Sequence, residues 1–112
     1  MTAMLWYGAD GFDVSNGTKD LIYEISLAVA ERTDAAARKR LEDDGRLVGC
    51  YGVSGMGFDL ASFGEAFGSV ANWQDAITQN FHVVEEVCAD PVCVQHMTKV
   101  FASIWRLLEG EK

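Results

Sequence analysis

The chain has 112 residues, 49% of them apolar and 23% charged. That is enough to enclose a core without staples and too balanced for a disordered polymer. The formal net charge of −8, from 17 acids and 9 bases, disfavours binding to phosphate backbones and suits a basic partner.

A lone proline, the lack of a Ser- or Gly-rich linker and the lack of an internal repeat predict one globular domain over residues 1–112. No apolar run is long enough to cross a bilayer, and the start reaches Asp10 without a basic n-region. The expectation is a cytoplasmic protein with no membrane attachment. Three cysteines, Cys50, Cys88 and Cys93, are an odd number and predict reduced thiols rather than a disulfide framework. Cys88 and Cys93 nevertheless flank a helical break closely enough for a bridge between them to be considered.

Ala3 to Tyr7 is a short apolar run with two aromatics and predicts a strand. Gly8 to Gly11 predicts a turn or loop. The stretch Asp10 to Asn16 has oxygen side chains at close spacing, but it lacks the glycine and the closing glutamate of a calcium loop. Loop capping by Asp13, Ser15 or Asn16 accounts for it better. A helix is predicted from Thr18, with Leu21, Ile22, Ile25, Ala28 and Val29 on one face and Tyr23 and Leu27 on another, so it should touch protein on more than one side. Thr33-Asp34 offers a fresh cap for a second helix, Ala35 to Asp44, stopped by Gly45.

Arg46 to Val53, rich in β-favouring side chains, predicts a second strand. Gly49, Gly52, Gly55 and Gly57 follow closely. They match neither a dinucleotide fingerprint nor a Walker loop, and no lysine follows to meet a phosphate. Ser54 is not a nucleophile elbow either, because Met56 stands where glycine is required. Sharp turning, or close passage past another backbone, is the preferred account. A short helix should open at Asp59 or Ser62, with Ser62 and Glu65 spaced as a capping box. Gly64 and Gly68 would let another backbone approach its side.

The last third predicts two amphipathic helices back to back. Asn72 reads as the N-cap of the first, with Trp73, Ile77, Phe81, Val84, Val87 and Cys88 on its apolar side. Asp90 caps the second, with Pro91 at its first position and Val94, Met97, Val100, Phe101, Ile104, Trp105 and Leu108 forming its stripe. So short a connection favours antiparallel packing. One residue conflicts with this pattern. Asn80 projects into the apolar arc and should be hydrogen-bonded or lie at an interface.

Few constellations suggest chemistry. His82, Cys88, Cys93 and His96 are acceptable zinc ligands in type, but His82 and Cys88 lie about 240° apart around a helix. No Cys–His or Ser–His pairing is singled out, and Glu85 and Glu86 point about 100° apart. Arg38-Lys39-Arg40 is a short basic run followed at once by Glu42-Asp43-Asp44, which reads as a solvated helix face. Between Leu47 and Thr98 there are six acids and no Lys or Arg.

The expectation is therefore a predominantly helical α+β protein with two short strands, an N-terminal helix that is long or broken, a short helix and a C-terminal antiparallel helical hairpin. In function it reads as a small acidic protein-binding protein without enzymatic activity or cofactor. One form would be an inhibitor that covers a basic surface, as immunity and phage anti-defence proteins do. Its contact residues would be drawn from Asp59, Glu65, Asp75, Gln79, Glu85 and Glu86. The alternatives are an assembly protein that homodimerises through its C-terminal helices, and a small-molecule module built on the Gly49–Gly57 turn.

Overall fold

The computed structural model describes residues 2–110. It is an α+β fold, predominantly helical. Strands β1 (Thr2–Tyr7) and β2 (Asp10–Ser15) form an antiparallel hairpin, with Leu5 opposite Phe12 and Trp6 opposite Gly11. Gly8, at φ 64°, makes the turn. The stretch expected to be a capped loop is thus mostly strand. Phe12 and Val14 alternate with exposed Asp13 and Ser15, a period of two that the density of oxygen side chains hid.

Helix α1 (Asn16–Thr33) begins two residues before the expected start, with the Ser15 hydroxyl accepting from the Thr18 amide. It lies at the centre of the molecule, touching β1, β2, α2, α5 and α6, and buries residues on more than one side, as its sequence predicts. Asp34 caps α2 (Ala35–Asp43) by accepting from the amides of Ala36 and Ala37.

The strand expected over Arg46 to Val53 does not form. Asp44 accepts from the amides of Arg46 and Leu47, so Gly45, expected to stop a helix, opens the single-turn α3 (Gly45–Val48) instead. Residues 49–57 follow as consecutive turns. Leu47 alone among the apolar side chains of that segment is buried outright, and Val48, Tyr51 and Val53 are exposed. The strand that joins the sheet is β3 (Phe58–Asp59), parallel to β1, giving three strands in the order β2-β1-β3 rather than two.

Helix α4 (Ala61–Phe67) lacks the expected capping box. The Asp59 carboxylate accepts from the Ala61 amide, Glu65 pairs with Arg46, and the Ser62 hydroxyl is buried with no partner among the described residues. A methyl group on Gly64 would run into Val70, so the close approach expected on this side is real, and Gly68, at φ 97°, ends the helix.

Helix α5 (Val70–Gln79) is capped by Ser69, not by Asn72, whose amide instead donates to the Phe67 carbonyl. Asn80 is where the expected first arm of the hairpin breaks. It leaves helical geometry at φ −122° and donates to the Ala76 carbonyl at 2.9 Å, and α6 (His82–Cys88) then starts afresh. Asp90 and Pro91 open α7 (Pro91–Leu108) as expected. Side-chain contacts pair Cys88 with Cys93, Phe81 with Phe101 and Trp73 with Trp105, so the hairpin runs antiparallel.

The core joins these parts. Trp73 stacks on Phe63 with ring centres 4.7 Å apart, meets Trp105 edge-on, and donates from Nε1 to the buried Ser26 hydroxyl on α1 at 3.0 Å. Ala3, Leu5 and Phe58 turn the inner face of the sheet into this core. The other face carries exposed Met4 and Asp13 with half-buried Trp6 and Asp59.

Candidate functional site

The turn at residues 49–57 is held from beneath by the first turns of α1. Lys19 exposes no surface, and its ammonium donates to the carbonyls of Cys50 (2.5 Å) and Val53 (2.8 Å). It also lies 3.4 Å from the Asp20 carboxylate and 5.7 Å from the centre of the Phe58 ring. Asp20 accepts from the Gly52 amide at 2.9 Å. Asn16 donates to the Ser54 hydroxyl and accepts from the Gly55 amide. Gly52 and Gly55 take positive φ, at 75° and 83°, and Gly57 passes so close to the Met4 carbonyl that no side chain fits. Both backbone accounts of these glycines, sharp turning and close passage, therefore apply. The turn has a fixed shape.

This held turn presents apolar groups to solvent. Among the described residues the large exposed hydrophobics are Met4, Val48, Tyr51, Val53, Met56 and Val92. Five of these six belong to β1 and the 48–56 segment, which meet where Gly57 abuts Met4. Burial first, and then the carboxylates of Glu24 and Asp20, push the Tyr51 hydroxyl above its ordinary range. Acids thus stand beside Tyr51, while Lys19, whose ammonium donates to two carbonyls of the turn, is hidden under it. The Gly52 and Gly55 amides, which a phosphate cradle would need, are already committed to Asp20 and Asn16.

The six acidic and amide residues singled out from the sequence are dispersed. Asp59 lies in the sheet and holds the start of α4. Glu65 is paired with Arg46, and Glu86 with Arg32 at 2.6 Å. Asp75 and Gln79 line a hollow beside Thr33 and Asp34, and Glu85 lines a different one at the α6–α7 junction. Only Asp75 and Gln79 come together. A chain segment without Lys or Arg is not a surface without them, because Arg32 and Arg46 fold onto it from outside. The basic run is likewise engaged with carboxylates and a carbonyl, Arg38 with Glu31 and Glu42, Lys39 with Asp43, and Arg40 with Asp34 and Ala66.

The four soft and borderline ligands do not converge. His82 is exposed at the start of α6, and His96 Nε2 lies 2.7 Å from the Thr18 hydroxyl. Cys88 and Cys93 touch one another. Among the described residues no three His, Cys, Asp or Glu side chains gather as a metal set.

No family model, curated protein or solved structure matches the chain. Sequence reading passed over Lys19, although it stands three, four and seven residues before Ile22, Tyr23 and Ser26, in phase with the buried side of α1. A lysine in that register was the available signal.

Proposed function

We propose that the protein is a non-enzymatic binding protein that docks a partner on the face formed by the 48–56 segment and β1. The observation that carries this is the exposure of Tyr51, Val53 and Met56 on a turn pinned by Lys19, Asp20 and Asn16, with Val48 just before it and Met4 on the strand that the turn abuts, each between 39% and 47% exposed. Apolar groups held in a fixed arrangement lose little entropy on contact, which favours their use as a docking surface. Asp20 and Glu24 beside Tyr51, Asp13 across from Met4 and the net charge of −8 select a partner whose complementary face is apolar with a basic rim. An inhibitor that covers a basic functional surface, of the immunity or anti-defence kind, fits this description. Homodimerisation through α7 has less support, since Val92 is the one large hydrophobic that helix leaves exposed among the described residues.

The test uses the intact protein as bait in its native cell extract, at low and high salt, beside two variants. The first, Val53→Ser with Met56→Ser, alters the patch. The second, Asp75→Asn with Glu85→Gln and Glu86→Gln, alters the acids of α5 and α6. A partner retained by the second variant, lost by the first and weakened by salt supports the reading. Loss with the second variant alone moves the contact to α5 and α6. Self-association of wild type in sedimentation, abolished by changes in α7, would overturn it in favour of the assembly protein.

A further inference from the structure

The junction between α6 and α7 holds a pair of thiols that the docking reading does not use. The sulfurs of Cys88 and Cys93 stand 2.6 Å apart, both half-buried, across a junction fixed on each side. Ala89 ends α6 in the left-handed conformation with its amide on the Glu85 carbonyl, and Asp90 accepts from the Val92 amide at 2.8 Å. Two thiols held in contact by caps on both helices are placed within reach of one another for bonding. We propose that Cys88 and Cys93 form a dithiol–disulfide couple that exchanges with small disulfides of the glutathione class and, when oxidised, ties α6 covalently to α7.

The order of attack follows from the surroundings. Burial, then the hydrogen bond that the Cys88 S–H shares with the Cys93 sulfur, then the charges of Cys93 and Asp90 push the Cys88 thiol up to about 12, which leaves Cys93 as the first nucleophile. Cys93 attacks one sulfur of oxidised glutathione. The glutathione disulfide breaks, and one glutathione leaves as a thiol carrying the proton from Cys93. Cys88 then attacks the Cys93 sulfur of the mixed disulfide, the second glutathione leaves with the proton from Cys88, and the new bond joins the two side chains. Two electrons pass from the pair to the oxidant, which is released as two glutathione molecules. Cys50, on the turn at 49–57, has neither of the other sulfurs beside it and takes no part.

The full chain, reduced and then equilibrated in buffers of graded oxidised-to-reduced glutathione ratio, is quenched, alkylated and mapped by mass. The expected result is joint loss of two of the three thiols, a mass lower by two hydrogens on the peptide carrying Cys88 and Cys93, and Cys50 still open to alkylation. Cys88→Ser should stop at a glutathione adduct on Cys93, because nothing resolves it. Cys93→Ser should leave Cys88 free at ratios that oxidise the wild-type pair. Stable glutathione adducts on the wild-type pair, disulfides between chains, or alkylation of Cys88 and Cys93 at every ratio would each overturn the proposal.

Discussion

The Lys19 ammonium donates to the Val53 carbonyl at 2.8 Å from a side chain with no exposed surface. A charge so placed is tolerable only because the Cys50 carbonyl, the Asp20 carboxylate and the face of Phe58 surround it as well. Lys19→Met keeps the apolar stem but leaves two carbonyls without their donor. We predict a loss of about 1–3 kcal/mol in urea unfolding, with a larger rise in amide exchange at Cys50 to Gly55 than in the core helices. Exchange that stays at its wild-type rate would show that Asn16 and Asp20 hold the turn unaided.

Ala89 is the one non-glycine residue with positive φ among the described residues, at φ 57° and ψ 14°. The left-handed cap suits glycine, since a Cβ there crowds the following carbonyl. Ala89→Gly should stabilise the protein by about 0.5–1 kcal/mol, the relief of strain being partly offset by the greater freedom of an unfolded glycine. The denaturation midpoint should rise with its slope unchanged. A lower midpoint would mean that the junction does not keep this geometry in solution.

In α7 the apolar stripe is not equally deep. Phe101 is 1% exposed, between Phe81 and Trp105, whereas Trp105 is only half-buried. Phe101→Ala should cost about 3–5 kcal/mol. Trp105→Ala should cost less than Phe101→Ala despite removing more atoms, because part of that ring already faces water. Equal losses in thermal or urea melts would contradict the depth assigned to the two rings.

The C-terminal hairpin was legible because its signals are local. Asp90 and Pro91 declare a helix start, and Met97, Phe101 and Ile104 recur at helical spacing. Even the fault in the pattern was visible, since Asn80 amid apolar neighbours marks the place where α5 ends. Val83, off the expected arc, is buried because α6 restarts in a new phase after that break. What sequence did not show is set by distant partners. Val48, Tyr51 and Val53 have β-favouring side chains, yet Asp44 caps a helical turn there and the sheet takes Phe58 instead. The acidic stretch misled for the same reason, because the counter-charges of Glu65 and Glu86 come from Arg46 and Arg32, 19 and 54 residues away in the chain.

Alkaline pH should lower the stability of the protein in two separable stages. In the folded chain the Cys88 thiol is raised from 9.0 to about 12, and the Tyr23 hydroxyl is raised from 10.0 by burial and then by Glu42, while it donates to the Leu41 carbonyl. For both groups the folded value lies above the unfolded one. Each contribution to stability is therefore complete below the unfolded value and declines as pH rises from there toward the folded value. The midpoint of urea unfolding should hold steady up to about pH 8.5, fall from about pH 9 as unfolded Cys88 ionises, and fall more steeply beyond about pH 10 as Tyr23 joins. Tyr51, raised in the same direction but 39% exposed, adds to the second step only weakly. Cys88→Ser should remove the first decline and leave the second. Tyr23→Phe should flatten the second while costing about 1 kcal/mol at neutral pH through loss of the Leu41 hydrogen bond. If the wild-type and Cys88→Ser curves superimpose between pH 8 and 10, Cys88 is not held protonated at the α6–α7 junction, and the order of attack assigned to the two thiols fails with it.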